Sequence, residues 1–519
     1  RTFPPFVSRC KVIDNRNRVQ YGNLSGAEKQ HCVYNGTRWR SEMEVASNRL
    51  VYLDNIRNFL VYNVVVLHIL QMFAYPLLFW WAVIDQPGSS RANETLLVAM
   101  DVYLMPGLLF IAALFIFPSL KSYTPLEYLK KRFLRLCVPA VVYLFCAGDI
   151  FYQILLRRLD GPVPPFAETF LNFWRFFLAM PAVYLSGSEG KLHTVTFNMQ
   201  HVWFLSLLFF LTLAVVAGSA PFRRQASPPQ QADSKRKIIT VTVVFALLLG
   251  LVHTAVQIIY VIHHIYIGEW LIIGKVLQFP VHKIWTLLAL FLFGLYIHKR
   301  KWLSRNDIGS WTMWGTLALV FLALYVLLFF FNILPELEGL FLAAAHNMRF
   351  DNLVPVPDPT LSLQRAFLSS WLLMPLVCVF LLMAFLSFAK RFANQPNAVT
   401  TFCTRHSINV YVLHYPAVLI LQYMFLDVPL PPAVKVIVMT VLVIPACLWL
   451  SHRLVYPYPK TAIGFFVALK LIALVAGFAF FYFALMTLTF ISFAGAVYES
   501  AKWYRVGRRT GRETATQIE

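Results

Sequence analysis

The 519 residues are 59% hydrophobic and only 13% charged, with a mean hydropathy of +0.63, whereas a soluble domain carries about a quarter of its residues charged. Continuous apolar runs without period-two alternation also exclude a β-barrel. The 45 basic against 24 acidic residues give +21, but these charges sit in short loops between apolar runs, which indicates membrane topology and anionic lipid, with no nucleic-acid partner.

A hydrocarbon core of ~30 Å needs ~20 apolar residues per helix, and lipid offers the backbone no hydrogen-bond partner. The expected fold is therefore all-α, a polytopic transmembrane helical bundle. Residues 1–48 contain no continuous apolar stretch and no cleavable signal peptide is read there; they form an N-terminal cytosolic tail. Ten spans follow at roughly 58–83, 95–118, 135–156, 201–218, 238–262, 280–298, 311–334, 368–389, 407–427 and 432–452. An extra apolar segment at about 461–497 is longer than one span requires and reads as one span or a hairpin. A single span would put Lys502, Arg505, Arg508, Arg509 and Arg512 outside, against the positive-inside rule; a hairpin would leave Lys470 within lipid.

Orientation follows from the loops. Arg38, Arg40 and Arg49 precede the first span, and Lys121, Lys130, Lys131, Arg132 and Arg135 follow the second. Arg223, Arg224, Lys235, Arg236 and Lys237 follow the fourth, Lys299, Arg300, Lys301 and Arg305 the sixth, and Lys390, Arg391 and Arg405 the eighth. All fall on one side if the N-terminus is cytosolic. The outer side carries an acceptor sequon, Asn93-Glu94-Thr95, and two long segments, 158–200 and 335–367, broken by Pro162, Pro164, Pro165, Pro355, Pro357 and Pro359. Phe170–Leu185 is apolar enough to lie along the interface. Seven cysteines without paired short spacing indicate neither a disulfide framework nor a zinc site.

Ionisable groups inside a bilayer are functional-site candidates. Asp54 and Arg57 are one helical turn apart and can pair. Arg57 and His68 are eleven apart, which returns the helical direction to within ~20° over ~16 Å. Both therefore project from one face, with Gln71 close enough to hydrogen-bond the imidazole. Taken singly, Arg57 reads equally as a boundary anchor and His68 as a helix-packing partner. Arg132 and Arg135, one turn apart, suit a polyphosphate, or serve as a basic topology signal. His414 and Tyr411 share a face before Pro416; the alternative is a packing histidine beside a kink. Asp101 and Asp149 lie near outer ends of spans, where they can reach water. Trp203 reads as an interfacial anchor, and Glu269, His263, His264 and His282 belong to a polar outer region.

At these residues the sequence resembles the acyltransferase-3 family of integral membrane acyltransferases, over about 49–456. The resemblance runs from Arg49-x-x-Tyr52-Leu53-Asp54-Asn55-Ile56-Arg57 to His68, then Met105-Pro106 through Phe110, and Arg132-x-x-Arg135-x-x-x-Pro139. His201-Val202-Trp203-Phe204-Leu205, Phe293-Gly294 through Trp302-Leu303 and Tyr411-x-x-His414-x-Pro416 complete the order. Ala112-Ala113 and Ser206 depart from the family pattern, which often has Ser-Gly and an acidic residue there. The division is then a tail at 1–48, an acyltransferase-3-like membrane domain at 49–458, and an extra apolar segment with a basic tail at 459–519.

The resemblance implies an O-acyltransferase that moves an acyl group, expected to be acetyl, from acyl-CoA to a hydroxyl of a carbohydrate, lipid or secondary metabolite. It implies acyl-CoA as co-substrate, no tightly bound cofactor and no metal. It puts the essential role on His68 and Arg57, donor contacts on Arg132 and Arg135, acceptor positioning on His414 and Tyr411, and support on Asp54, Gln71 and Trp203. A secondary transporter using Arg57 and His68 as a proton or anion relay is the rival reading, and an enzyme-dead scaffold the third.

Overall fold

The computed structural model describes residues 12–13, 19–20, 50–75, 81–158, 163–186, 197–219, 233–262, 270–304, 308–333 and 361–515. Arg49, Arg223, Arg224, Arg305, His263, His264, Glu269 and the prolines at 162, 355, 357 and 359 lie outside the described residues, as does most of the tail. Residues 1–51 and 52–519 are two compact units. In the first, β1 (Val12–Ile13) pairs antiparallel with β2 (Val19–Gln20).

The second unit is a helical bundle. Among the described residues, twelve candidate membrane spans comprise the ten expected from sequence and two more in the C-terminal apolar segment. The chain is an integral, multi-pass membrane protein. Helix α1 (Val51–Leu70) is followed by a 3-10 turn at Gln71–Phe73. The expected first span, 58–83, is thus shifted toward the N-terminus. Asp85 N donates to Met72 O at 2.9 Å, which holds residue 85 beside the end of α1. Helix α2 (Arg91–Leu114) is capped by Ser90, whose hydroxyl accepts from Asn93 N. The sequon asparagine therefore sits in a helical first turn, its amide donating to Gly88 O.

A short α3 (Ile116–Ser122) leads to α4 (Pro125–Ala147), which starts with a Thr124–Glu127 capping box and Pro125 at its first position. Next come α5 (Ile150–Arg158), α6 (Phe166–Ala179), β3 (Val183–Ser186), α7 (Trp203–Ser219) and α8 (Lys235–Ile262). A hairpin of β4 (Trp270–Ile273) and β5 (Leu277–Pro280) follows, and β4 also pairs with β3, giving a small antiparallel sheet. The bundle continues through α9 (Ile284–Lys299), α10 (Trp311–Leu328), α11 (Leu361–Phe392), α12 (Ala398–Phe425) and α13 (Pro432–Leu450). Of the expected interfacial patch Phe170–Leu185, residues 170–179 lie on α6, which leaves Leu171 and Leu178 exposed, and 183–185 lie on β3.

Close helix crossings fall where side chains are small. A Cβ on Gly107 of α2 would meet Leu382 and Leu60 at 3.0 and 3.2 Å, so α1, α2 and α11 converge there. A Cβ on Gly294 of α9 would meet Ala113 Cβ at 2.9 Å. The small side chain at Ala113, one of the departures from the family pattern, is part of that crossing. Ser206, the other, donates to the Val276 carbonyl in the β4–β5 turn. At the end where α1 begins, Asp233 accepts from Arg300 and Trp302 and pairs with Lys237. The Arg300 guanidinium holds its carboxyl well below the usual carboxylate range.

The C-terminal segment resolves into two helices, α14 (Pro459–Ala476) and α15 (Phe478–Ala515), joined at Gly477 with φ +91°, a conformation that favours glycine. Tyr423 of α12 meets Tyr482 early in α15, and Trp449 and Arg453 at the far end of α13 meet Glu499. The segment is thus a hairpin, and the chain returns to the end where α14 began. Lys470 does not face lipid. It is fully buried, and its ammonium binds both oxygens of Asp149 at 2.6 and 2.7 Å. Asp149 therefore does not reach water, because α14 packs over it. Gly495 abuts the Trp449 indole, where an added Cβ would lie 2.4 Å from Cε2. Gly495→Val is expected to cost ~1–3 kcal/mol through overpacking, checked by the shift in thermal unfolding of the purified protein; an unchanged midpoint would refute the close contact.

Candidate active site

Three imidazoles from three distant segments meet in the bundle interior. His68 stands near the end of α1, His201 in the turn before α7 and His414 in the middle of α12. The ring centroids are 5.3 Å apart for His68–His414, 5.0 Å for His201–His414 and 6.3 Å for His68–His201. Trp81 stacks on His68 at 5.9 Å, and Tyr415 lies edge-on to it at 5.0 Å. Tyr415 also stacks on His201 at 4.7 Å, and Tyr143 of α4 meets His201 edge-on at 4.5 Å. Trp81, His201, His414 and Tyr415 are all buried, whereas His68 keeps accessible surface. The His68 imidazole therefore points inward, among aromatic rings, and not out to acyl chains.

Local bonds set the tautomers. His68 Nδ1 lies 2.6 Å from Gln71 Oε1. A carbonyl oxygen only accepts, so Nδ1 carries the hydrogen and Nε2 presents a lone pair. His414 Nδ1 likewise donates to the Val410 carbonyl at 3.1 Å, leaving its Nε2 as an acceptor. Nε2 of His414 and both nitrogens of His201 make no hydrogen bond of good geometry among the described residues. Gln422 holds the end of α1: its Nε2 donates to the His68 carbonyl at 2.8 Å and its Oε1 accepts from Trp81 Nε1 at 3.1 Å. Tyr411 does not contact the open Nε2 groups by a hydrogen bond; its hydroxyl donates to the His201 carbonyl at 2.6 Å.

Arg57 pairs with Asp54 at 2.9 Å, as the spacing predicts, and lies 5.8 Å from the Phe115 ring. Arg132 Nε donates to Tyr128 Oη at 2.9 Å, and Arg135 is exposed. None of these cations touches an imidazole. The two arginine-bearing helices nevertheless share a register. His68 is eleven positions beyond Arg57 on α1, and Tyr143 is eleven beyond Arg132 on α4. Both helices start from the same end, so Arg57 and Arg132 each lie ~16 Å along the axis from the ring cluster.

Trp203 departs from the expected interfacial role. It is buried against Phe204 and Trp270 and takes no part in the ring cluster. The neighbouring β4 strand covers it. Asp101 pairs with Lys283, and His282 accepts from Gln257 through its carbonyl. Sequence reasoning overlooked Trp81, Tyr143, Gln200, Tyr415 and Gln422, and took His201 as the start of a span and of a family segment without a role in the site. The available signal was the polar content of these apolar runs. Among the described residues, no group of three or more His, Cys, Asp or Glu side chains converges on a metal position.

Among the described residues, a bundle with twelve candidate membrane spans encloses a histidine cluster and carries arginines toward one end, which defines a multi-pass membrane protein. A family model described as an acyltransferase domain, that of the acyltransferase-3 family, matches residues 50–452. The chain belongs to that family and is a membrane acyltransferase. No curated protein and no solved structure matches it.

Proposed function

We propose that the protein transfers an acyl group, in the first instance acetyl, from acyl-CoA to an acceptor hydroxyl, with His68 as general base. The observation that carries this reading is the inward-facing His68, whose Nδ1 is occupied by Gln71 and whose Nε2 lone pair remains. Nε2 would take the proton of the acceptor hydroxyl as its oxygen attacks the thioester carbonyl carbon. The C–S bond breaks, and the departing thiolate takes the proton back from the imidazolium. An ester and free CoA result. His414, with its own Nε2 lone pair, would orient the acceptor, and Tyr411 would act indirectly by fixing His201. Gln71 and Asp54 support the base and Arg57.

The donor fits the arginine level. The phosphates of CoA would sit near Arg57, Arg132 and Arg135, and the pantetheine arm would run along α1 and α4 to the rings. On this reading the arginine end faces the cytosol, which the basic loops at that end support. The acceptor class is a carbohydrate, lipid or secondary metabolite hydroxyl. Incubating the purified protein in lipid nanodiscs with labelled acetyl-CoA and a panel of such acceptors tests the proposal. Labelled ester is expected, and thioester that survives every acceptor would overturn it.

Replacing Arg132 and Arg135 with alanine should remove charge-assisted contacts worth ~1.5–3 kcal/mol each. The acyl-CoA KM is expected to rise about a hundredfold or more in the double variant, with the acceptor KM unchanged. Steady-state kinetics with each substrate varied separately checks this; an unchanged donor KM would remove both residues from the donor site.

A further inference from the structure

The family match ends at residue 452, so the α14–α15 hairpin is an addition to the family domain. One of its contacts is a buried ion pair that leads toward the ring cluster. Lys470 of α14 is fully buried, its ammonium bonded to Asp149 and enclosed by the rings of Phe166, Phe170 and Phe481 at 3.9, 5.0 and 5.1 Å. Asp149 sits in the two-residue break between α4 and α5, next to Gly148. The Gly148 carbonyl accepts from Gln200 Nε2 at 2.6 Å, while Gln200 Oε1 accepts from Tyr143 Oη. Gln200 immediately precedes His201 and holds φ +48°, a backbone region that residues with a side chain keep only where their surroundings impose it. Here the side-chain amide is pinned at both ends.

We propose that Lys470 is a positioning residue, holding the 148–149 turn through Asp149 so that Gln200, in its strained conformation, aims the His201 ring into the cluster. The extra hairpin is then a working part of the site and not only an additional anchor. This rests on the catalytic reading of the cluster. Asp85–Lys435 is a second buried pair, on other elements, and its ammonium also bonds the Leu426 carbonyl. Among the described residues neither Asp85 nor Lys435 hydrogen-bonds Gln200, so the pair serves as the control.

The test compares wild type, Lys470→Met, Asp149→Asn/Lys470→Met and Asp85→Asn/Lys435→Met in nanodiscs. The Asp149→Asn/Lys470→Met variant leaves no lone buried charge, so it keeps its fold while losing the lock. Amide hydrogen exchange across 197–203 is expected to speed up at least about tenfold in that variant and not in the control. Its kcat should fall about 10–100-fold while the acyl-CoA KM stays put. A Lys470→Arg variant, which can still bond Asp149, should recover part of that kcat. Unaltered exchange at 197–203, or kcat that returns to wild type once thermal stability does, would overturn the inference. If wild type transfers no acyl group, the catalytic reading fails by itself, and the exchange result still decides whether the hairpin positions Gln200.

Discussion

His68→Ala is expected to lower acyl transfer by ~10²–10⁴, the usual worth of a general base, with the bundle intact. The side chain is one of three imidazoles in the cluster, and its half-buried state means that its loss opens space already accessible and leaves no partnerless charge. Gln71, which accepts the Nδ1 hydrogen, would be left with a free amide facing that same space. Transfer measured with labelled acetyl-CoA, alongside circular dichroism and gel-filtration profiles matching wild type, checks this. Undiminished transfer by a well-folded variant would remove His68 from the chemistry. Gln71→Leu should reproduce a fraction of the loss, since it frees the imidazole to adopt the other tautomer.

The largest stability effect is expected at Lys470. Removing one partner of a buried ion pair leaves an uncompensated charge and typically costs ~3–5 kcal/mol, whereas neutralising both partners is often nearly neutral. Lys470→Met alone strands Asp149, which is 1% exposed and has no water to turn to. The single variant should therefore unfold at much lower temperature, and Asp149→Asn/Lys470→Met should recover most of the difference. Thermal unfolding of the three proteins in the same nanodiscs measures it. A single variant as stable as wild type would mean that Asp149 finds solvent or another cation. The aromatic rings around the ammonium do not change this sign, because they stabilise the cation and not the carboxylate.

How much was legible from sequence varies with the kind of information. The ten spans and the Arg57–His68 face were readable because helix length and the ~100° turn per residue are local properties. The Asp54–Arg57 pair and the His68–Gln71 bond follow from the same three-residue spacing, and both are present. His201, Trp81 and Tyr415 were not assigned to the site for the opposite reason. His68 and His414 are 346 positions apart in the chain, and nothing local brings them together. Helices that are apolar on every side do not announce which face meets a neighbour, and in lipid no hydrophobic contrast drives a particular pairing. Trp81 was read as the tail of a span, whereas its indole stacks on His68.

Sequence alone determined the class of protein, the level of the arginines below His68 on α1 and the presence of an extra C-terminal apolar segment. The tertiary structure decided which rings surround His68, where Trp203 packs, and that Lys470 closes on Asp149 inside a hairpin. The division has one physical cause. Composition and helical period are properties of a single segment against its solvent, while packing partners depend on shape and polar matching between segments that the chain order does not reveal.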